Sequence, residues 1–361
     1  MTITIRDVAR QAKVSVATVS RVLNASAPVR EGTRTRVIEV ARDLQFSPNG
    51  AARTLKRRQA SALGVILPDL YGEFFSELLR GIDNEAQRAG HALLVSSSHH
   101  DAHGVSVAVR AMRGRADGLL VMAPEVSSRS LATALPEGLP AVILNAPPTS
   151  DAIAAVTVDN IGGTRAVVHY LAALGHREVA FICGPPRNAD AVARLRGYRA
   201  AMRATGLTVR DELVVHGDFT EDGGWRAARE LLTMRRPSPT ALFAANDAMA
   251  VGALLALHEA GVDIPRDMSV VGFDDIPIAR YVTPSLTTVR VAIDVLGARA
   301  AALLVRALSE PMQRGDAHRE IIPAELIVRH SCGPPTRKPP VRLSAGAKRA
   351  SVELALHARD S

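Results

Sequence analysis

Five polar residues follow apolar stretches of the sequence, each at the point where a buried strand would end. They are Asp69, Asn145, Asp159, Asn246 and Asp274. In open α/β sheets ligands bind at the carboxyl ends of the strands, so side chains in these positions are candidates to contact one. An asparagine amide both donates and accepts, and a carboxylate accepts in pairs, which suits the vicinal hydroxyls of a sugar. The pattern predicts a site for a polyhydroxylated small molecule.

The elements that would position these residues alternate along the chain from residue 61. Short apolar runs predict strands at 63–67, 92–95, 118–122, 142–144, 156–158, 179–183, 214–215, 241–245, 269–273, 286–289 and 321–328. Helical periodicity between them predicts helices at 73–89, 105–115, 161–174, 191–204, 224–234, 247–260 and 293–308. Such alternation indicates parallel sheets covered on both faces. Because the strands are too many for one compact lobe, we expect an α/β core of two similar Rossmann-like lobes.

Positive charge is concentrated at the N-terminus. The chain has 361 residues and a formal net charge of +8, and residues 1–60 hold 12 Lys and Arg against 4 Asp and Glu. Residues 61–332 hold 26 basic and 30 acidic residues, and residues 333–361 hold 6 and 2. A small basic segment on a slightly acidic body is typical of nucleic-acid binding. A solvated basic surface would give the same distribution.

Three short helices are predicted in this basic segment. Thr4 and Asp7 have the spacing of a capping box, and Ser15 is a good N-cap for a second helix. Thr33 is placed to cap a third. The apolar residues at helical spacing are Val8, Ala9, Ala12, Val19, Val22, Leu23, Val37, Val40, Ala41 and Leu44. Two short helices joined by a tight break and braced by a third form a small all-α helix-turn-helix head, whose second helix enters the major groove.

Several stretches resemble a known family. They are IRDVA at 5–9, VSVATVSRVLN at 14–24 and SPN at 47–49, then GVILP at 64–68, AANDAMAVG at 244–252 and GFDD at 272–275. Together they are similar to LacI/GalR regulators, which join a helix-turn-helix head to a periplasmic-binding-protein-like core. The resemblance covers nearly everything to residue 332. It implies a repressor that binds a pseudo-palindromic double-stranded DNA operator as a homodimer, controlled by a small ligand between the core lobes.

The resemblance assigns DNA contacts within the head. Val16 and Ala17 lie where the family reads base identity, but both are small and apolar, so they could touch thymine methyls without bidentate hydrogen bonds. Arg21 can form such a pair with guanine and is the main polar base contact that we expect. The residues suited to phosphate contacts are Thr4, Ser15, Thr18, Ser20, Asn24 and Thr33.

Residues 49–58, NGAARTLKRR, match the hinge helix of the family. The small side chain of Ala52 would let two such helices pack across a dimer axis, and Leu55 would be the apolar wedge in the minor groove. The hinge residues expected to contact DNA are Asn49, Ala52, Arg53, Leu55 and Lys56. A plain charged linker is the alternative.

The resemblance also adds side chains to the ligand site. Arg194 matches the cleft arginine of the family, and its donor fork suits hydroxyls or a carboxylate. Phe74, Phe75 and Phe219 lie where the family places ligand walls, although Phe75 could equally belong to the core. Asn188 stands where purine-responsive members carry a second arginine, which favours a neutral polyol or sugar over a nucleobase.

Motifs of nucleotide-binding loops, zinc hydrolases and nucleophile elbows do not occur in the sequence, so we expect no catalytic residue, metal or cofactor. The cluster of His99, His100, Asp101 and His103 is interpreted as an exposed loop. Two cysteines cannot build a disulfide framework, and the N-terminus lacks the apolar core of a signal peptide. No apolar run approaches the roughly 20 residues of a membrane span. These features favour a cytoplasmic protein without membrane association.

The expected domains are a head at 1–48, a hinge at 49–60, a core at 61–332 and a basic, Pro-rich tail at 333–361. Within the core, we expect one lobe at about 61–160 with 291–320, and the other at about 161–290 with 321–332. The tail is expected to be disordered and lacks the heptads of a tetramerising coiled coil, which leaves a homodimer. Two alternatives stay open: a cytosolic sugar-binding protein without DNA function, and a purine-responsive corepressor-type regulator.

Overall fold

The computed structural model describes residues 3–24, 27–46, 60–146, 153–234, 238–310 and 318–336. The chain divides into two compact units, Met1–Ser61 and Ala62–Ser361. The predicted hinge at 49–58 lies outside the described residues, as does most of the predicted tail. Among the described helices, none combines the length and apolar character needed to cross a membrane.

The described residues of the first unit form three helices, α1 (Ile5–Gln11), α2 (Val16–Asn24) and α3 (Glu31–Asp43). The Asp7 carboxylate accepts hydrogen bonds from the backbone N–H and the hydroxyl of Thr4, which fastens the start of α1. The Ser15 hydroxyl accepts from the backbone N–H of Thr18 at 3.1 Å, so the predicted cap of α2 is confirmed. The buried side chains that join the three helices are Val8, Ala9, Ala12, Val19, Val22, Val37 and Ala41.

The third helix begins earlier than predicted. Because α3 begins at Glu31, with Arg30 in the N-cap position, Thr33 lies in the first helical turn and does not cap it. A glutamate in the first turn is stabilised by the partial positive charge of the helix N-terminus, which explains the earlier start.

The second unit contains twelve described strands and eight described α-helices. The strands are β1 (Ala62–Leu67), β2 (Ala92–Ser97), β3 (Gly118–Met122), β4 (Ala141–Leu144), β5 (Ala154–Val158), β6 (Val179–Cys183), β7 (Val214–His216), β8 (Ala241–Ala244), β9 (Ser269–Val271), β10 (Thr288–Val291), β11 (Arg319–Ile322) and β12 (Ala324–Ile327). The helices are α4 (Glu73–Arg88), α5 (Ala102–Met112), α6 (Ser128–Ala134), α7 (Asn160–Ala173), α8 (Ala189–Ala204), α9 (Glu221–Thr233), α10 (Asp247–Glu259) and α11 (Ile293–Ser309). Short 3-10 helices lie at Asp211–Leu213 and Pro277–Arg280.

Ten of these strands form two parallel sheets, and β10 and β12 form a separate antiparallel pair. The first has the order β11-β5-β4-β3-β1-β2, and the second has the order β7-β6-β8-β9. Strands β1, β3 and β6 are buried along their whole length, as expected for sheets covered by helices on both faces. The prediction of an α/β core of two lobes on parallel sheets is confirmed.

The chain returns to the first lobe near its end. Helix α11 packs against α4 and the first sheet, and β11 then pairs with β5. The predicted single strand 321–328 is wrong, because Pro323 separates β11 from β12 and offers no N–H to continue a ladder. Strand β12 instead pairs antiparallel with β10, so the first lobe extends to Ile322.

Residues beyond 332, the predicted end of the core, are also hydrogen-bonded to the second lobe. The backbone N–H of Gly333 donates to the Ser269 hydroxyl at 3.0 Å. The Thr336 hydroxyl donates to the Arg266 carbonyl at 2.8 Å. The prediction of disorder from residue 333 is therefore wrong for 333–336, and residues 337–361 lie outside the described part of the chain.

Candidate functional site

A cleft of about 540 Å³ opens between the two lobes of the second unit. One wall is formed by segments that follow β1, β3 and β4, and the other by segments that follow β6, β7, β8 and β9. The carboxyl ends of parallel strands thus face the cleft from both sheets, which is the arrangement in which open α/β sheets bind ligands.

Most of the predicted effector residues line this cleft. They are Asp69, Phe74, Phe75, Asn145, Asn188, Arg194, Phe219, Asn246 and Asp274. The two adjacent rings of Phe74 and Phe75 meet edge to face, with centroids 5.5 Å apart. Both rings also pack against the hydrophobic core, so Phe75 belongs to the core and to the cleft wall together.

Asp159 is the exception, and its prediction as an effector residue is corrected. Its carboxylate accepts a hydrogen bond from the backbone N–H of Gly162 at 2.8 Å and caps α7. It is absent from the described cleft lining. The physical reason is that β5 leads directly into the helix that carries the chain to the second lobe, so the strand end supplies a helix cap.

Arg194 is buried at the cleft, with 4% of its surface exposed, and its guanidinium contacts four other residues. Its Nε donates to the Asn160 side-chain oxygen at 2.8 Å, and its Nη1 donates to the Ala245 carbonyl. Its Nη2 lies 3.1 Å from a carboxylate oxygen of Asp274, and its guanidinium carbon lies 3.8 Å from the centre of the Phe273 ring. The guanidinium therefore ties together the ends of three elements of the second lobe.

The carboxyl groups around Arg194 are affected chiefly by burial. Burial raises the pKa of Asp274 to about 6, although the nearby Arg194 guanidinium counteracts this rise. Burial also raises the pKa of Asp190, again against the influence of Arg194, and the charge of Glu125 adds to the rise. The positive charge of one guanidinium thus stabilises the ionised forms of two carboxyl groups that have lost their hydration.

Two of the three asparagines that line the cleft also stabilise the fold. Asn188 caps α8, because its side-chain oxygen accepts from the backbone N–H groups of Asp190 and Ala191 at 3.0 and 3.1 Å. Asn246 caps α10 by accepting from the Met249 N–H at 3.0 Å, while its Nδ2 donates to the Phe219 carbonyl at 3.0 Å. Each amide therefore has only part of its hydrogen-bonding capacity left for a ligand.

Glu125, Asp190 and His100 also line the cleft, and the sequence analysis missed all three. One Glu125 oxygen accepts from Asn188 Nδ2 at 2.7 Å and lies 3.4 Å from His100 Nδ1. Its other oxygen, Oε2, is buried and has no hydrogen-bond partner among the described residues, and the same holds for Oδ1 of Asn145 and Oδ1 of Asp274. Glu125 follows β3 as Asp69 follows β1, so the rule of strand ends could have found it.

The lobes also contact each other directly beside the cleft. The Glu73 carboxylate on α4 accepts from the Ile278 backbone N–H at 2.8 Å. The Ala189 backbone N–H donates to the Pro124 carbonyl at 3.0 Å. Together with the Asn188–Glu125 bond, these contacts join the walls across the cleft.

In the head, the face of α2 predicted to read DNA is open. Val16 is 41% exposed, and Ala17 and Arg21 are also exposed. Arg21 forms no hydrogen bond or ion pair with another described residue. The hydroxyls of Ser15 and Thr18 lie 2.9 Å apart at the N-terminus of this helix.

The other predicted DNA contacts fall into two groups. Thr4 is exposed at the start of α1, Ser20 and Thr33 are half-buried, and Asn24 ends α2. The hinge residues Asn49, Ala52, Arg53, Leu55 and Lys56 lie outside the described residues.

Comparison with known proteins agrees with this division into head and core. Residues 4–49 match the bacterial regulatory proteins of the lacI family. Residues 168–332 match the periplasmic binding protein-like domain. A helix-turn-helix head followed by a two-lobed core with a cleft is the architecture of ligand-responsive transcription factors.

The ribose operon repressor of Escherichia coli K12 is 35% identical over 311 residues, which cover 85% of this chain and 94% of the repressor. The chain therefore belongs to the LacI family and is a DNA-binding transcriptional regulator. The solved structure of the Lac repressor dimer bound to operator and the anti-inducer ONPF is similar to this chain, with a TM-score of 0.80 and 28% identity, and the match covers 92% of this chain and 99% of that chain. A CelR–cellobiose complex has a TM-score of 0.69 and 30% identity, covering 91% and 99%.

Proposed function

We propose that this protein is a repressor that binds a pseudo-palindromic operator as a homodimer, and that a sugar bound in the cleft controls its affinity for DNA. The observation that carries the proposal is one chain with an exposed recognition helix and a separate polar cleft. A cytoplasmic location is part of the proposal and is supported by the similarity to bacterial DNA-binding regulators. The division into head, hinge, core and tail is part of the same proposal.

The reading of DNA follows from the exposed face of α2. Arg21 has an unengaged guanidinium, which suits a bidentate contact with guanine. Val16 and Ala17 present methyl groups, which suit contact with thymine methyls. Since these two side chains make no hydrogen bonds to bases, much of the discrimination falls to Arg21 and to the predicted Leu55 wedge of the hinge.

The choice of a sugar follows from the walls and acceptors of the cleft. Phe74 and Phe219 offer apolar surface to a sugar ring, and the buried oxygens of Asn145 and Glu125 need hydrogen-bond donors. The names of the relatives support the same class, since one is a ribose operon repressor and another structure is a cellobiose complex. Because coupling is reciprocal, a sugar that changes operator affinity must bind DNA-free and DNA-bound protein differently.

The proposal can be tested by selecting operator sequences from random duplex DNA with the full chain and measuring fluorescence anisotropy at fixed salt. We expect a pseudo-palindromic consensus that is bound at least about a thousandfold more tightly than random duplex. A sugar found by thermal-shift screening should change this affinity. A protein that binds sugars but selects no sequence would be the alternative, a sugar-binding protein without DNA function.

The hinge prediction has its own test. Leu55→Ala should weaken binding to the selected operator while largely sparing binding to random duplex, because a wedge acts only where the DNA is kinked. An equal loss on both DNAs would show that Leu55 has no wedge role. Leu23→Ala is unsuitable as a control, since Leu23 packs against the core of the head.

A further inference from the structure

The acidic side chains of the cleft outnumber its permanent cations. Among the described residues that line it, Arg194 is the one arginine or lysine, and its guanidinium is already bonded to Asn160, Ala245 and Asp274. Its positive charge is shared with the carboxylates of Asp274 and Asp190, which leaves little of that charge for an anionic group of a ligand. An incoming phosphate or carboxylate would instead meet several carboxylates, and like charges repel strongly where water is excluded.

Some of these carboxylates are explained by the fold. Glu73, Asp190 and Glu221 lie in the first turns of α4, α8 and α9, where the helix dipole favours negative charge. Glu73 also accepts the Ile278 N–H. Glu125 is not at a helix N-terminus, because it lies in the loop between β3 and α6, and its bond with Asn188 engages only one of its two oxygens.

Glu125 and Asp274 each have a buried carboxylate oxygen without a hydrogen-bond partner among the described residues. Asp274 lies 3.1 Å from the Arg194 guanidinium, whereas the 9% exposed Glu125 forms its one described ion pair with His100. The other Glu125 oxygen meets the neutral amide of Asn188 and the His100 ring, of which 53% is exposed. Buried carboxylates are retained where a cation or several donors compensate them. Asn145, which is 2% exposed, presents a second unpaired acceptor to the same cleft.

We propose that the effector is a polyol that carries a protonated amine, such as an amino sugar, and that its ammonium group binds Glu125. The inference rests on the proposed function and deepens it by naming the ligand class. An ammonium supplies three donors and a positive charge, which match Glu125 Oε2 and the nearby Asn145 Oδ1. Its remaining hydroxyls suit Asp274, and the Phe74 and Phe219 rings that face the cleft attract a cation as well as an apolar ring face.

The test compares matched sugars on the full chain by isothermal titration calorimetry at constant pH and ionic strength. The probes are D-glucosamine, D-galactosamine and D-mannosamine, each beside its neutral parent sugar and its N-acetyl derivative, with D-glucuronate as the anionic probe. We expect the tightest binder to be an amino sugar, bound at least about thirtyfold more tightly than its neutral and N-acetylated partners. A neutral sugar or glucuronate as the tightest ligand, or no binding by any amino sugar, overturns the proposal.

Glu125→Gln identifies the group responsible. The glutamine keeps an oxygen for Asn188 but loses the charge, so the ratio of amino-sugar affinity to neutral-parent affinity should fall from about thirtyfold to about one, whatever happens to the affinity for the neutral parent. Glu77→Gln removes the same charge from an α4 residue outside the cleft that pairs with Arg80, and should leave the preference intact. An amine preference that persists in Glu125→Gln contradicts the assignment.

The outcomes separate this inference from the proposed function. If a neutral sugar binds and changes operator affinity, the regulator is controlled by a sugar and only the amine assignment fails. If the chain selects no operator, the proposed function fails whatever the cleft binds.

Discussion

The recognition helix and the cleft present their functional groups in opposite ways. On α2, Val16, Ala17 and Arg21 are exposed, and Arg21 contacts no other described side chain through hydrogen bonds. In the cleft, Arg194 is buried in a network, and Asn188 and Asn246 each cap a helix. Substitutions on the helix should therefore change function alone, whereas substitutions in the cleft should change stability and function together.

The largest effect should come from Arg194→Ala. It leaves the buried Asp190 and Asp274 without their guanidinium, and removing one partner of a buried pair costs about 3–5 kcal/mol. Urea unfolding followed by the fluorescence of Trp225, the only tryptophan, measures this loss. The exposed Arg196→Ala on the same helix should change stability by less than about 0.5 kcal/mol. Equal stability of the two variants would show that Arg194 serves the ligand alone.

The stability of Asp274→Asn as a function of pH also tests the difference between buried cleft residues and exposed residues. Because the pKa of Asp274 is raised to about 6 in the folded chain, its contribution to stability is fully present below the unfolded pKa and is lost as the pH rises through 6. The free energy of unfolding of the variant, relative to the wild type, should therefore rise between pH 4 and 6.5 by about 2 kcal/mol. The exposed Asp263→Asn is the control, and parallel curves for both variants would contradict a buried, titrating Asp274.

Arg21→Ala tests the opposite side of the comparison. Loss of a bidentate base contact should lower affinity for the selected operator about ten- to hundredfold, with no change in unfolding. Fluorescence anisotropy measures this loss of affinity. The salt concentration is held constant, because the contribution of phosphate contacts to the affinity depends strongly on salt. Arg42→Ala, exposed on α3, should reduce affinity far less. A matching loss in both variants would indicate that Arg21 acts as a general positive charge.

The smallest effect separates capping from ligand binding. Asp159→Ala should lower stability by about 1 kcal/mol through loss of the α7 cap and leave effector affinity unchanged. Asn246→Ala removes a cap that also lines the cleft, so it should lower both quantities. Titration calorimetry measures the effector affinity of the two variants, and urea unfolding measures their stability. A loss of effector affinity in Asp159→Ala would contradict a role in capping alone.

Much of the architecture could be predicted because the strands are continuous apolar runs. Strands β3 and β6 have the bounds that the sequence predicted, since both are buried on both faces. Helix α6 was missed because seven residues are too few to show a helical period. The single strand predicted at 321–328 failed at Pro323, whose effect depends on which sheet each half joins.

The site could be predicted only in part, for a related reason. The rule of strand ends gives positions but not hydrogen-bond partners, so it selected Asp159 without showing that a helix would follow immediately. The burial of Arg194 depends on Asn160 and Asp274, which are distant in sequence and meet only in the folded lobe. Glu125 was within reach of the same rule and was overlooked.

The two capping asparagines restrict how this protein can evolve toward new effectors. A residue at position 188 or 246 must keep a short side chain that accepts from the first turn of a long helix, which few residue types other than Asn, Asp, Ser and Thr do well. New specificities are therefore reached more readily through cleft positions that cap no helix, such as Phe74, and random mutagenesis for altered ligand responses should find most of its changes at such positions.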